Sequence, residues 1–137
     1  MPSELSVHAV SLGGMKVDAT AGEHRVHMDY PLTPTEVPAG FTPMQLLLAS
    51  VAGCGGSTVA LLLCKMNQPL TGLEVNACGT RRDEHPTVFT EIRVEFVVRG
   101  SVDPAAVEHA IAKAEEICPV WAMISGTPLK TYYKILE

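Results

Sequence analysis

The chain has 137 residues, of which 47% are apolar and 18% charged, and a net charge of −5. That length buries one core and is short for two, and so thin a charged coat on so apolar a chain points to an assembly larger than a monomer. With no run of Lys or Arg, the acidic balance excludes a partner gripped through its phosphates, so nucleic acid is not expected.

The N-terminal stretch MPSELSVHAVSLGG lacks the basic start and apolar core of a secretory signal. A cytoplasmic location is therefore expected, where four cysteines serve as reactive or buried thiols rather than crosslinks. They form no C-x-x-C, and His8, His24, His27, His85 and His109 are scattered, so no metal site is expected.

The first 30 residues read as strands. Val26, Met28 and Tyr30 alternate with Arg25, His27 and Asp29, the period-2 pattern of a half-buried strand, and Gly13-Gly14 and Ala21-Gly22-Glu23 supply turns before it. Residues 31–41, PLTPTEVPAGF, carry three prolines. Each fixes φ and removes a donor, which predicts a stiff, irregular connection.

Thr42-Pro43-Met44-Gln45 is a helix start: Thr42 can cap, Pro43 suits the first helical position, and Gln45 can close a capping box. The helix is predicted to run through LLLASVAGCGGSTVALLLCKM and stop before Asn67-Gln68-Pro69, with no charge from Leu46 to Cys64. Its length permits a membrane span. The small, partly polar middle from Gly53 to Thr58, without an aromatic belt or basic flank, instead favours a helix at the centre of a soluble assembly, and no membrane is expected.

Leu73, Val75 and Ala77 alternate with Glu74 and Asn76 in a strand predicted to end near Arg81-Arg82-Asp83, and His85-Pro86 marks a turn. Ile92, Val94, Phe96 and Val98 then face one way, with Arg93, Glu95 and Arg99 opposite. Asp103-Pro104 opens a second helix that turns Val107, Ala110, Ile111, Ala114 and Ile117 inward. Cys118-Pro119 ends it. A short apolar turn follows to Ile124, and Leu129 to Leu136 reads as a last strand. Strands, helix, strands, helix, strand is an α+β order.

Cys64 follows Cys54 by ten residues, about 1000° of rotation at ~100° per residue, so their side chains point apart. Cys64 and Cys78 read as buried small hydrophobes. Cys54 is flanked by Gly53, Gly55 and Gly56, and burial alone leaves a thiol inert, so a reactive Cys54 needs a cation or donors aimed at it. If Pro119 opens a short helix, Cys118 stands at its N-terminus, where free amides favour a thiolate or an anionic ligand. On the residues alone, working thiols and a bland core both stay open.

The stretch FTPMQLLLASVAGCGGSTVALLLCKM, together with AEEICPVWAM, resembles the OsmC/Ohr family. There a T/N-P-x-E/Q-L segment leads into A-x-C on a long central helix, and a second cysteine lies in a C-P motif after the second helix. The resemblance extends over nearly the whole chain. It implies one OsmC-like domain over residues 1–137, built as an intertwined homodimer with antiparallel sheets around a long buried central helix. It also implies a cytoplasmic stress-response enzyme that reduces organic hydroperoxides, with Cys54 as peroxidatic thiol and Cys118 as resolving thiol. An external dithiol such as reduced lipoyl groups would reopen the disulfide, and no bound cofactor is implied.

The sequence departs from the family pattern in two places. Peroxide-reducing relatives use an arginine after a Gly-Gly turn and a glutamate near the start of the central helix. Here Met15, followed by Lys16, stands after Gly13-Gly14, and Met44 and Gln45 stand ten and nine residues before Cys54. Lys16 or Arg25 could supply the cation, though a lysine lacks the guanidinium fork; Arg81 and Arg82 are weaker candidates. Gln45 fits a cap at least as well as a donor to the site. Leu48, Val51, Trp121 and Met123 would favour an apolar small-molecule substrate. Two alternatives remain: a non-catalytic dimer that binds apolar small ligands, and acyl or sulfur transfer with His24 or His27 as base.

Overall fold

The computed structural model describes residues 3–137, so Met1 and Pro2 lie outside the described residues. The chain divides into two compact units, Met1–Leu47 and Leu48–Glu137.

In the first unit, β1 (His8–Gly13), β2 (Lys16–Ala21) and β3 (His24–Asp29) pair as an antiparallel meander. Gly13 and Gly14 carry the first turn at φ 99 and 59, a region that costs glycine nothing and other residues a Cβ clash. The alternation in β3 sets Asp29 on the polar side with Arg25 and His27, yet Asp29 is only 3% exposed. Its carboxylate accepts from the Ala39 amide at 2.9 Å and lies 3.8 Å from Lys16 Nζ, while its own amide donates to the Phe41 carbonyl at 3.0 Å. Asp29 thereby straps the proline-rich connection to the sheet. Gly40 completes the strap, because a Cβ there would stand 2.3 Å from the His27 carbonyl oxygen.

The connection delivers Thr42 to the start of α1 (Pro43–Lys65). The Gln45 amide donates to Thr42 Oγ1 at 3.2 Å and the Thr42 amide to Gln45 Oε1 at 3.0 Å, so the expected capping box is complete. The helix continues into the second unit and ends with Asn67 at φ 56. Gln68 N–H donates to the Leu63 carbonyl and Asn67 N–H to the Cys64 carbonyl, both at 3.0 Å, a Schellman closure with asparagine in the left-handed position.

The rest of the second unit is a sheet of β4 (Gly72–Arg81), β5 (Phe89–Arg99) and β6 (Leu129–Leu136), with α2 (Pro104–Ile117) and α3 (Pro119–Met123) between β5 and β6. Asp103 caps α2 by accepting from the Ala105 amide at 3.0 Å. β4 runs antiparallel to β5, but β6 runs parallel to it. This corrects the expectation of antiparallel sheets: a chain leaving β5 through two helices returns in the direction it left, and such a crossover is what parallel neighbours require. The inward side chains of β5 (Ile92, Val94, Phe96 and Val98) are buried, as are Val107, Ala110, Ile111 and Ala114 of α2 and Val51, Val59 and Leu63 of α1.

The expectation of a buried central helix holds for one face. Val51, Gly55, Gly56, Val59 and Leu63 are buried, whereas Leu61 and Cys64 are exposed. By length and composition α1 could cross a membrane, with a mean hydropathy of 2.0 over its most apolar window, 28% of which is buried. Ile117, expected inward, is half exposed, because α2 ends there as the chain turns at Cys118-Pro119.

Candidate functional site

Two thiols 64 residues apart meet in the second unit. Cys54 lies mid-way along α1 and Cys118 caps the start of α3, and the Cys118 thiol donates to the Cys54 sulfur at 3.1 Å. A disulfide is about 2.05 Å long, so the pair is reduced and roughly 1 Å short of bonding. Cys54 is partly accessible and Cys118 is 1% exposed.

Local sequence places both. Pro119 fixes φ for the first position of α3 and forces the break after Ile117. Around Cys54, Gly55 and Gly56 leave the helix face bare, and two other elements press onto it. A Cβ on Gly55 would lie 2.3 Å from Trp121 Cζ2, and one on Gly56 would lie 2.9 Å from Val75 Cγ2. The indole N–H of Trp121 reaches across to the Val51 carbonyl at 3.0 Å. Sequence reasoning missed this bond; the one available hint was a glycine pair opposite a single tryptophan.

Burial pushes the Cys118 thiol above its usual value, and the hydrogen bond to Cys54 and the charge on Cys54 push the same way. Cys118 makes no side-chain cap bond at α3, although the Trp121 and Val120 amides act on its sulfur in the opposite sense. The raised value makes a stability prediction. Folding disfavours the Cys118 thiolate, so its contribution is intact below the usual value of 9.0 and is lost as pH rises from there through the raised folded value. The reduced protein is expected to lose melting temperature above about pH 9 more steeply than the disulfide form, which has no thiol there to ionise. Parallel melting curves for the two forms would refute this.

Lys16 pairs with Asp29, and Arg25 is exposed on β3. Gln45 is engaged in the capping box through its carbonyl oxygen. His27 Nδ1 sits 2.6 Å from Asp18 across β2 and β3. Arg81 and Arg82 grip the turn that follows them, through Thr87 and through the Pro86 carbonyl. Among the described residues no group of three or more His, Cys, Asp or Glu is placed to hold a metal.

Cys64 and Cys78 correct a second expectation, since both are exposed rather than buried. Cys64 falls on the uncovered side of α1. Cys78 shares its strand face with Glu74 and Asn76, and Arg93 donates to its sulfur at 3.1 Å while also bonding Glu91 at 2.8 Å. Lys130 and then Arg93 hold the Glu91 carboxyl below its ordinary value by hydrogen bonding. A separate open groove of about 250 Å³ between α2 and β6 holds neither thiol of the pair; its polar groups satisfy one another through Tyr133 to Glu108 and Thr131 to Glu115.

Comparison with known proteins bears on the whole arrangement. Protein YhfA of Escherichia coli K12 is 35% identical over 85 residues, which span 61% of this chain and 63% of that protein's length. A hypothetical protein from Aquifex aeolicus VF5 superposes with a TM-score of 0.87 at 26% identity, covering 98% of each chain. An organic hydroperoxide resistance protein OsmC from Legionella pneumophila shares the fold, with a TM-score of 0.75, 19% identity, and coverage of 96% of this chain and 97% of that one. Residues 34–132 match the family described as OsmC-like protein, and the chain belongs to that family.

Proposed function

We propose that this protein reduces organic hydroperoxides with the Cys54/Cys118 pair, in the manner of a stress-response thiol peroxidase. The carrying observation is the 3.1 Å approach of the two sulfurs. The Cys54 thiolate attacks the terminal peroxide oxygen, the O–O bond breaks, and the alcohol leaves with a proton, so Cys54 becomes a sulfenic acid. Cys118 then attacks the Cys54 sulfur, its own proton leaves with the hydroxyl as water, and the disulfide forms.

An external dithiol, of lipoyl type or another, returns the pair to thiols by exchange. It must attack at Cys54, the accessible sulfur, with the buried Cys118 as leaving group. The name of the Legionella pneumophila protein of the same fold supports the hydroperoxide class. The exposed Ile117, directly before Cys118, and Met123, five residues after it, favour an apolar substrate. The uncovered apolar side of α1 fits a second copy of the chain, and we read the working form as a cytoplasmic homodimer with no bound cofactor.

The test is the intact mass and thiol count of the reduced protein after one equivalent of cumene hydroperoxide. A mass loss of two hydrogens, mapped to a Cys54–Cys118 bridge within seconds, is expected. Survival of all four thiols in excess oxidant would sink the proposal and leave the non-catalytic apolar-ligand reading in its place.

A further inference from the structure

We propose that Trp121 is a positioning residue, a strut between α3 and α1 that sets the spacing of the Cys54 and Cys118 sulfurs. The proposal rests on the reading that the two thiols form a working redox pair, and it concerns the closing step.

Trp121 lies three residues after Cys118 and is 5% exposed. Its indole N–H donates to the Val51 carbonyl, three residues before Cys54. Its ring occupies the place of a side chain at Gly55, the residue after Cys54: a Cβ there would lie 2.3 Å from Cζ2, 2.8 Å from Cε2 and 3.1 Å from Nε1. The same ring meets Phe96 of β5, with centroids 6.3 Å apart and planes at 57°. One side chain thus touches α1 on both sides of Cys54 and is also held by the sheet.

α3 itself cannot supply this placement. It has five residues and no side-chain cap bond, and so short a helix has little stiffness of its own. The Cys118 N–H ties that residue to the end of α2 through the Ala114 carbonyl at 2.8 Å, and Trp121 is the side chain that fixes this end against α1. Closing the pair needs an approach of roughly 1 Å from 3.1 Å, and a misplacement of about 1 Å can cost on the order of a hundredfold in rate.

The experiment uses the full chain and the variants Trp121→Phe, Trp121→Leu and Gly55→Ala, with Val98→Ala as a core control on β5. Each reduced protein is mixed separately with cumene hydroperoxide and with diamide. Diamide adds to the Cys54 thiolate across its N=N bond. Attack by Cys118 on that sulfur then expels the hydrazine and forms the same disulfide, with no peroxide needed. Dimedone trapping reads the first hydroperoxide step, mass mapping reads closure, and equilibrium with dithiothreitol reads how readily the disulfide reopens.

The three site variants are expected to form the Cys54 sulfenic acid at the wild-type rate. They should close about ten- to a hundredfold more slowly with either oxidant and reopen more readily. Trp121→Phe, which loses the N–H and keeps a ring, should be the mildest. Val98→Ala should lower the melting temperature and leave closure unchanged. Wild-type closure rates in the site variants would overturn the strut, and so would equal slowing in Val98→Ala, which would mark a general loss of packing. If diamide closes the wild-type pair and hydroperoxide does not, the hydroperoxide reading fails, and the strut is decided by the diamide rates. If neither closes it, both fail.

Discussion

Cys54→Ser is expected to lower hydroperoxide consumption on the order of a thousandfold, because a serine hydroxyl at neutral pH has no thiolate to offer the O–O bond. Cys118→Ser should behave differently. Its Cys54 remains, so it should consume one equivalent of peroxide and then stop, with the sulfenic acid open to dimedone. The accessibility difference supports that asymmetry: Cys54 is partly open and Cys118 is buried. The measurement is consumption of cumene hydroperoxide by the two variants, reduced beforehand and freed of reductant, with no dithiol present. If Cys118→Ser lost its first turnover as fully as Cys54→Ser, the roles would be wrongly divided.

The largest stability effect is expected at Phe96. Its ring is completely buried in the middle of β5 and packs against Trp121. Truncation to alanine removes the buried area and leaves a cavity that a rigid sheet cannot collapse around, a cost of about 3–5 kcal/mol. Against a total of about 5–15 kcal/mol for a domain, that is a large fraction. It should lower the melting temperature of the reduced protein by about 10 °C or more. Phe96→Leu keeps most of the volume and should cost less than about 1.5 kcal/mol. A melting temperature that fell no further for alanine than for leucine would show that the cavity refills.

Most elements could be read from neighbours in sequence, because their causes are local. Thr42 and Gln45 close their capping box within one turn, β5 carries period-2 alternation, and Asp103-Pro104 and Cys118-Pro119 punctuate the helices. What escaped depends on partners far along the chain. The direction of β6 follows from the crossover rather than from its own residues. Asp29 looks like a surface carboxylate until the Ala39 amide arrives from the connection. The exposure of Cys78 was legible and overlooked, since its strand parity matches Glu74 and Asn76.

The site divides the same way. Each cysteine stood out by its own setting, glycines around Cys54 and a proline after Cys118. Their contact across 64 residues could be anticipated through family resemblance alone, and the Trp121 bond to Val51, across 70 residues, could not be anticipated at all. Lys16 and Gln45 stand near places where relatives carry working side chains; Lys16 pairs with Asp29 and Gln45 closes the capping box of α1.

Trp121 is the single tryptophan of the chain, and its buried ring lies three residues after Cys118 and is bonded to Val51, three residues before Cys54. Excited indole gives up its energy readily to neighbouring sulfur, and a disulfide and a thiol pair do so to different extents. The protein thus carries a built-in optical gauge of its own oxidation state: emission from one ring, uncontaminated by any other tryptophan, should step between two levels as the pair closes and reopens, without a label and in real time.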